Sequence, residues 1–151
     1  MSRPFTEQLT EGQALAGVTV TTLNNSSVLT SALDMKLVRR ARCILNCGTL
    51  TGAASVNVKA QASATAGGSY TDIDTPTTDP AITGITTDDS WSTIEVRADQ
   101  MPSGKPFLKF LITETATANA VVQAVVVGDC GSYGPNNANN TLTLTNSVVA
   151  D

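Results

Sequence analysis

The chain has 151 residues, with nine Lys and Arg against thirteen Asp and Glu, no His, and a net charge of −4. This length corresponds to one ordinary domain, in which about two-thirds of the chain surface can be buried on folding. The absence of His excludes Ser-His and Cys-His catalysis and any His metal ligand. The acidic balance argues against a surface that neutralises nucleic-acid phosphates.

The abundant residue types favour strands and a structural role. Threonine occurs 23 times, and valine, alanine, asparagine and serine are also common. Thr and Val are β-branched and fit a pleated, half-buried surface. Charged residues make up only 15% of the chain, so the supply of titratable groups for catalysis is small. We therefore expect a coat-like structural protein without a cofactor, and not an enzyme.

The sequence contains no apolar run of the roughly 20 residues needed for a membrane span. The first 17 residues lack the apolar segment of a secretory signal, so we expect synthesis in the cytoplasm. Cys43, Cys47 and Cys130 are then expected to be free thiols. On one strand, Cys43 and Cys47 would lie about 13 Å apart, too far for a disulfide. We interpret both as buried, with a disulfide or metal role as the alternative.

The first half of the chain predicts an arm followed by strands. Residues 1–17 show no clean period and are predicted to be an extended arm, with one short helical turn as the alternative. Alternation of apolar and polar residues predicts strands after this arm. These strands cover residues 18–23, 33–37, 43–48 and 55–63. In the second of them, Leu33, Met35 and Leu37 are predicted to share one buried face.

The second half predicts more strands separated by turns and one long loop. Residues 74–90 are rich in Thr, Asp, Pro and Gly and indicate a surface loop or a pair of short edge strands. In residues 91–98, Ile94 and Val96 mark the core side. Residues 105–114 are mostly apolar on both faces, which predicts a central strand. Residues 120–128 carry a valine run that predicts another buried strand.

Seven to nine short strands predict an all-β fold, a β-sandwich or jelly-roll-like single domain. Its predicted parts are an N-terminal arm over 1–17, a core over 18–128 and a C-terminal tail over 129–151. Within the tail, the segment 141–149 begins with alternating Thr and Leu over residues 141–145. This segment is predicted to be a strand that adds to a sheet of its own subunit or of a neighbour.

Two charged clusters could indicate sites. Arg39, Arg40 and Arg42 form the basic cluster, and neighbouring residues on a strand point to different sides. We interpret it as a solvated turn or a salt-bridging surface, with a subunit contact as the alternative. The acidic cluster matches no calcium-loop signature, so no metal site is predicted. Its members are Asp72, Asp74, Asp79, Asp88 and Asp89, and a hydrolase that uses them is one alternative class of function.

Several strand and turn segments carry a resemblance to a known family. They are Val58-Lys59-Ala60-Gln61-Ala62-Ser63 with the following Gly-Gly-Ser and Tyr70-Thr71-Asp72-Ile73, then Ile94-Glu95-Val96-Arg97, Pro106-Phe107-Leu108-Lys109-Phe110-Leu111, and Thr117-Ala118-Asn119-Ala120 before the valine strand. Together they cover about residues 18–128. This pattern resembles the capsid decoration, or cement, proteins of tailed bacteriophages.

The resemblance implies a structural protein on the outer surface of a phage head, made in the host cytoplasm, that stabilises the lattice of the major capsid protein. It implies a homo-oligomer, with a trimer favoured over a dimer, and neither a nucleic-acid nor a membrane partner. The alternative is a carbohydrate-binding or host-recognition β-module of a phage tail or fibre. The candidate residues for contact with the capsid or another subunit are Arg3, Phe5, Leu9, Arg39, Arg40, Tyr133, Leu142 and Leu144.

Overall fold

The computed structural model describes residues 12–75 and 79–130, which form antiparallel strands and one 3-10 turn. In chain order the elements are β1 (Gly12–Leu23), β2 (Ser27–Leu29), β3 (Leu33–Asp34), β4 (Val38–Leu50), β5 (Val56–Ser63), β6 (Thr71–Asp72), β7 (Ala81–Ile85), β8 (Ser90–Arg97), the 3-10 turn Ala98–Gln100, β9 (Phe107–Glu114) and β10 (Ala120–Cys130). None of these elements is a helix that could cross a membrane.

The strands form two sheets that pack face to face. The first sheet has the order β1-β10-β4-β8. In the second sheet β9 pairs with β5, β2 and β3 pair with β9, and β6 and β7 pair with β5. The predicted all-β sandwich is therefore confirmed. The predicted central position of β9 is confirmed, since β9 lies between β5 and the short strands β2 and β3. The strand over 120–128, predicted to be buried, is β10, which lies between β1 and β4 and buries every second side chain.

Strict alternation on the central strands builds the core. On β9, Leu108, Phe110 and Ile112 are fully buried, and the residues between them are half-buried. They belong to one apolar cluster that also contains Leu45 of β4 and Val126 of β10. Inward side chains from both sheets thus interlock in a single layer, as expected of a sandwich.

The first strand begins earlier than the sequence predicts. Residues 12–17, assigned to the arm, belong to β1, and its pairing with β10 is irregular between Ala14 and Ala16. Both Leu15 and Ala16 are fully buried, so this part of the strand lacks the alternation of buried and exposed residues that predicts a strand from sequence. Opposite this irregularity, a Cβ on Gly128 would overlap the Leu15 side chain. A glycine in β10 therefore makes room for the additional inward residue.

The predicted strand over 33–37 is wrong beyond its first two residues. β3 contains only Leu33 and Asp34. The Asp34 carboxylate accepts a hydrogen bond from the Lys36 amide at 3.0 Å, and the Leu37 amide donates to the Asp34 carbonyl at 3.1 Å. This Asx-type turn leaves Leu37 44% exposed, so apparent alternation here reflects a turn.

Candidate binding surfaces

Most of the predicted contact residues lie outside the described part of the chain. These are Arg3, Phe5, Leu9, Tyr133, Leu142 and Leu144, and the predicted strand over 141–149 lies there as well. Arg39 and Arg40 are described, and both are exposed on β4. The prediction that they lie in a turn is wrong, because β4 runs continuously from Val38 to Leu50. The other form of the same interpretation, a salt-bridging surface, fits Arg40 and Arg42, which both pair with Glu95. The alternative, a subunit contact, stays a prediction.

One face of the first sheet looks away from the core, and we call it the outer face. Its rows follow from the strand register. Arg40 of β4 lies opposite Arg97 of β8, Arg42 opposite Glu95, Ile44 opposite Thr93, and Asn46 opposite Trp91. On the other side of β4, Val127, Val125 and Gln123 of β10 continue the rows of Arg42, Ile44 and Asn46. The outer face is therefore charged at one end and apolar towards the middle.

The charged end, which we call the arginine patch, consists of Arg40, Arg42, Arg97 and the Glu95 that they surround. Arg42 donates two hydrogen bonds to Glu95 Oε2, at 2.7 Å from Nη2 and 3.2 Å from Nε. Arg40 and Arg97 lie 4.0 and 3.9 Å from Glu95 Oε1. The Arg42 hydrogen bond, together with the charges of the other two arginines, lowers the pKa of Glu95. Three guanidinium groups around one carboxylate leave a positive patch on an acidic protein.

Trp91 is the most exposed large apolar residue that the structure describes, with 67% of its surface accessible. It lies on β8 at the opposite end from Arg97, across from Asn46 of β4. The alternation of Ile94 and Val96 predicts that Trp91 points away from the core. What the sequence does not reveal is that β8 is an edge strand, because strand order depends on pairing between distant segments.

The best-connected carboxylate lies elsewhere, at the end of β9. Glu114 is 1% exposed, and its Oε2 accepts a hydrogen bond from the Asn25 amide at 2.7 Å. Its Oε1 accepts from the Ala116 amide at 2.7 Å and the Ser55 amide at 3.4 Å. Burial alone would raise the pKa of Glu114, but the three backbone donors outweigh it and lower the pKa. Glu114 joins three loops and is structural.

Two members of the acidic cluster, Asp72 and Asp88, make structural hydrogen bonds at separate places in the fold. Asp72 accepts hydrogen bonds from Gln61 and Lys59, which lower its pKa, and Asp88 accepts from the Leu50 amide. Asp72 and Asp79 line a depression of about 50 Å³, far below the roughly 300 Å³ of small-molecule sites. A larger depression of about 370 Å³ has no acid in its lining. In the described ranges, no three His, Cys, Asp or Glu side chains group as metal ligands.

The two described cysteines confirm the interpretation of buried thiols. Cys43 and Cys47 are free and buried on the inward face of β4. Burial raises the pKa of Cys43 to about 12 and also raises that of Cys47. Thiols with raised pKa values are poor nucleophiles, so both residues act as small core side chains.

In comparisons with known proteins, the chain matches no protein-family model, no curated protein and no solved structure. The resemblance to capsid decoration proteins therefore stays a prediction that depends on the residues that carry it.

Proposed function

We propose that this chain is a non-enzymatic decoration protein that binds the outer surface of a tailed-phage head and stabilises the lattice of the major capsid protein. The observation that carries this proposal is the position of the resembling segments. They coincide with β5, β8, β9 and the turn into β10, strands that come from both sheets. The resemblance therefore extends over the framework of the sandwich and is not confined to one loop.

The surface of the sandwich is compatible with this role. The outer face offers an apolar middle beside the arginine patch, and arginine is enriched in protein interfaces. The acidic net charge agrees with a position outside the shell, away from the packaged genome. A protein that engages several capsid subunits at once gains avidity, and its candidate grips are the two terminal segments.

Heads assembled without this protein provide the test. We expect the added full-length chain to bind in hundreds of copies per head and to raise the temperature at which DNA is released. Replacing Arg3, Phe5 and Leu9 together by alanine is expected to weaken binding, and so is replacing Tyr133, Leu142 and Leu144. A matched control is Val20→Ala, an exposed position on β1. Unchanged heat resistance at saturating protein would refute the cement role.

The second candidate is a carbohydrate-binding module, and Trp91 is the observation that favours it. An exposed indole beside the amide of Asn46 combines a stacking surface with a hydrogen-bonding group. Because the chain has one Trp, its fluorescence reports directly on this position. Titration with host surface glycans that changes this fluorescence, together with a handful of copies per virion, would favour the recognition module over the cement protein.

A further inference from the structure

One edge of the first sheet is unusually suited to pairing. Within the described residues β8 is the last strand of its sheet and pairs with β4 alone. It has eight residues without Pro or Gly, and its register with β4 is uninterrupted. A regular edge of this kind presents a row of N–H and C=O groups that another strand can bind.

The other edge strands in the described part of the chain are short or irregular. β2, β3 and β6 contain three, two and two residues. β7 pairs through a register shift and contains Gly84 at a φ of 72°, and β1 has two register shifts. Short strands and bulges are features that prevent edge-to-edge association. β8 has neither, and its two charged residues, Glu95 and Arg97, have opposite signs.

The hydrogen bonds of β4 determine which backbone groups of β8 face outward. The Asp89 amide donates to the Gly48 carbonyl at 3.2 Å, and the register continues from this pair along β8. Hydrogen-bonded pairs alternate with non-hydrogen-bonded pairs in an antiparallel ladder. The odd-numbered residues of β8 therefore bond to β4. The backbone groups of Ser92, Ile94 and Val96 point away from the sheet.

We propose that β8 pairs antiparallel with β8 of a second copy of this chain, about a twofold axis at Ile94. Two first sheets then join into one continuous sheet. Ser92 lies opposite Val96 of the partner subunit. On the outer face, Trp91 lies opposite Arg97 of the partner subunit and Thr93 opposite Glu95 of the partner subunit.

Strand overlap, charge and ring contacts together favour this register: axes at Ser92 or Val96 would pair only residues 90–94 or 95–97 of the strand, whereas the Ile94 axis pairs residues 91–97. The outward backbone groups allow only registers in which even-numbered residues oppose one another. Moving the axis to Glu95 would place two carboxylates face to face, and moving it to Thr93 would set the Trp91 ring against an acid. The Ile94 axis instead places the exposed indole against a guanidinium, a cation–π pair that symmetry repeats. A strand that complements itself in this way argues for a second copy.

This pairing does not depend on the proposed capsid function, since it concerns two copies of the chain in solution. The resemblance to decoration proteins implies a trimer with a dimer as the alternative, whereas the β8 edge supplies a structural argument for the dimer. Loss of dimerisation and loss of head binding are separate measurements, so either proposal can fail alone.

Sedimentation of the full-length chain over a range of concentrations tests the association. We expect a monomer–dimer equilibrium that Ser92→Pro weakens at least about tenfold, because proline removes one outward N–H and is tolerated on an edge strand. The thermal midpoint should stay close to that of the wild type. The exposed Thr93 lies opposite Glu95 of the partner subunit in the proposed register. Thr93→Lys should therefore strengthen association by about threefold or more, and Thr93→Glu should weaken it by a similar factor.

Cysteine cross-linking tests the register. Thr93 and Glu95 of the partner subunit form a non-hydrogen-bonded pair, in which Cα atoms about 4.5 Å apart permit a disulfide. A mixture of Thr93→Cys and Glu95→Cys chains should cross-link on oxidation, whereas each variant alone should match the wild type. Val20→Cys, equally exposed on β1, serves as the control partner.

Three results would overturn the proposal. They are a monomer at every concentration, an association that Ser92→Pro leaves unchanged, and cross-linking that is equal in single and mixed samples. Cross-linking of the mixture combined with weakened association of Ser92→Pro would support it.

Discussion

Glu114 and Glu95 occupy two contrasting regions of the same sandwich. Glu114 closes one end of the second sheet, is 1% exposed, and binds backbone amides of three separate loops. Glu95 lies on the outer face of the first sheet, where arginine side chains from β4 and β8 reach it. Both carboxylates have lowered pKa values, but for different reasons.

The two glutamates differ in whether their hydrogen-bond donors can move independently of the fold. Backbone amides cannot leave Glu114 without displacing the loops to which they belong, so its contacts are part of the folded state. The arginines around Glu95 are long, half-exposed side chains that can exchange one acidic partner for another. The end of β9 therefore serves folding, whereas the arginine patch has the exchangeable side-chain contacts that a binding surface needs.

Replacing Glu114 by alanine is expected to have the largest effect on stability. The substitution leaves the part-buried amides of Ser55 and Ala116 without their acceptor, and the Asn25 amide keeps only the Ala116 carbonyl at 3.1 Å. The thermal midpoint should fall several times further than in the matched variant Glu95→Ala. Equal shifts of the two midpoints, measured by scanning calorimetry, would remove the distinction between the two regions.

The pH dependence of stability should separate the two glutamates as well. A carboxyl whose folded pKa lies below its unfolded value stabilises the fold above the unfolded pKa, and this contribution is lost as the pH falls through the folded pKa. The wild type should therefore lose stability as the pH falls below 4.5, the ordinary pKa of a glutamate carboxyl such as that of Glu114. Glu114→Gln should have a lower free energy of unfolding than the wild type at neutral pH. Its free energy of unfolding should fall less than that of the wild type when the pH is lowered.

Urea unfolding from neutral pH to about pH 3 measures this dependence. Glu95→Gln is the control, since its carboxylate is far more exposed and its contribution is screened by solvent. A wild-type profile that is parallel to that of Glu114→Gln would contradict the assignment.

A second buried polar contact joins Thr30 to Phe110 of β9, and its loss should have an intermediate effect on stability. Thr30 is 2% exposed, and its hydroxyl accepts a hydrogen bond from the Phe110 amide at 3.0 Å. Thr30→Val keeps the volume but leaves this amide unsatisfied, at a cost of about 1–3 kcal/mol. Thr30→Ser keeps the hydroxyl, so its free energy of unfolding, measured by chemical denaturation, should fall clearly less than that of Thr30→Val. A Val variant as stable as the wild type would show that the contact contributes nothing.

The fold could be predicted wherever local alternation reports burial. β9 alternates strictly, β5 does so until Ala62 and Ser63, which are both buried, and both predicted spans lie within two residues of the observed strands. The start of β1 was missed because Leu15 and Ala16 are both buried at an irregular position, which breaks the two-residue period. At Asp34 the opposite error occurred, since a side-chain-capped turn imitated alternation.

The surfaces were less predictable because they depend on contacts between distant segments. The arginine cluster of β4 is visible in the sequence, but Glu95 lies 53 residues after Arg42. Only the register of β4 with β8 brings them together. The outward direction of Trp91 follows from alternation, whereas its place at a sheet edge requires the strand order.

The smallest effect is expected for Arg42→Ala, which tests the availability of the arginine patch. Arg42 makes the shortest contacts to Glu95, but its side chain is 53% exposed, so the pair should contribute about 0–1 kcal/mol and less in high salt. A double-mutant cycle with Glu95→Ala measures this coupling, and Arg97→Ala, whose Nε lies 3.9 Å away, should couple more weakly. A coupling well above about 1 kcal/mol would make the patch part of the folding machinery, as Glu114 is, and its arginines would no longer be available to a partner.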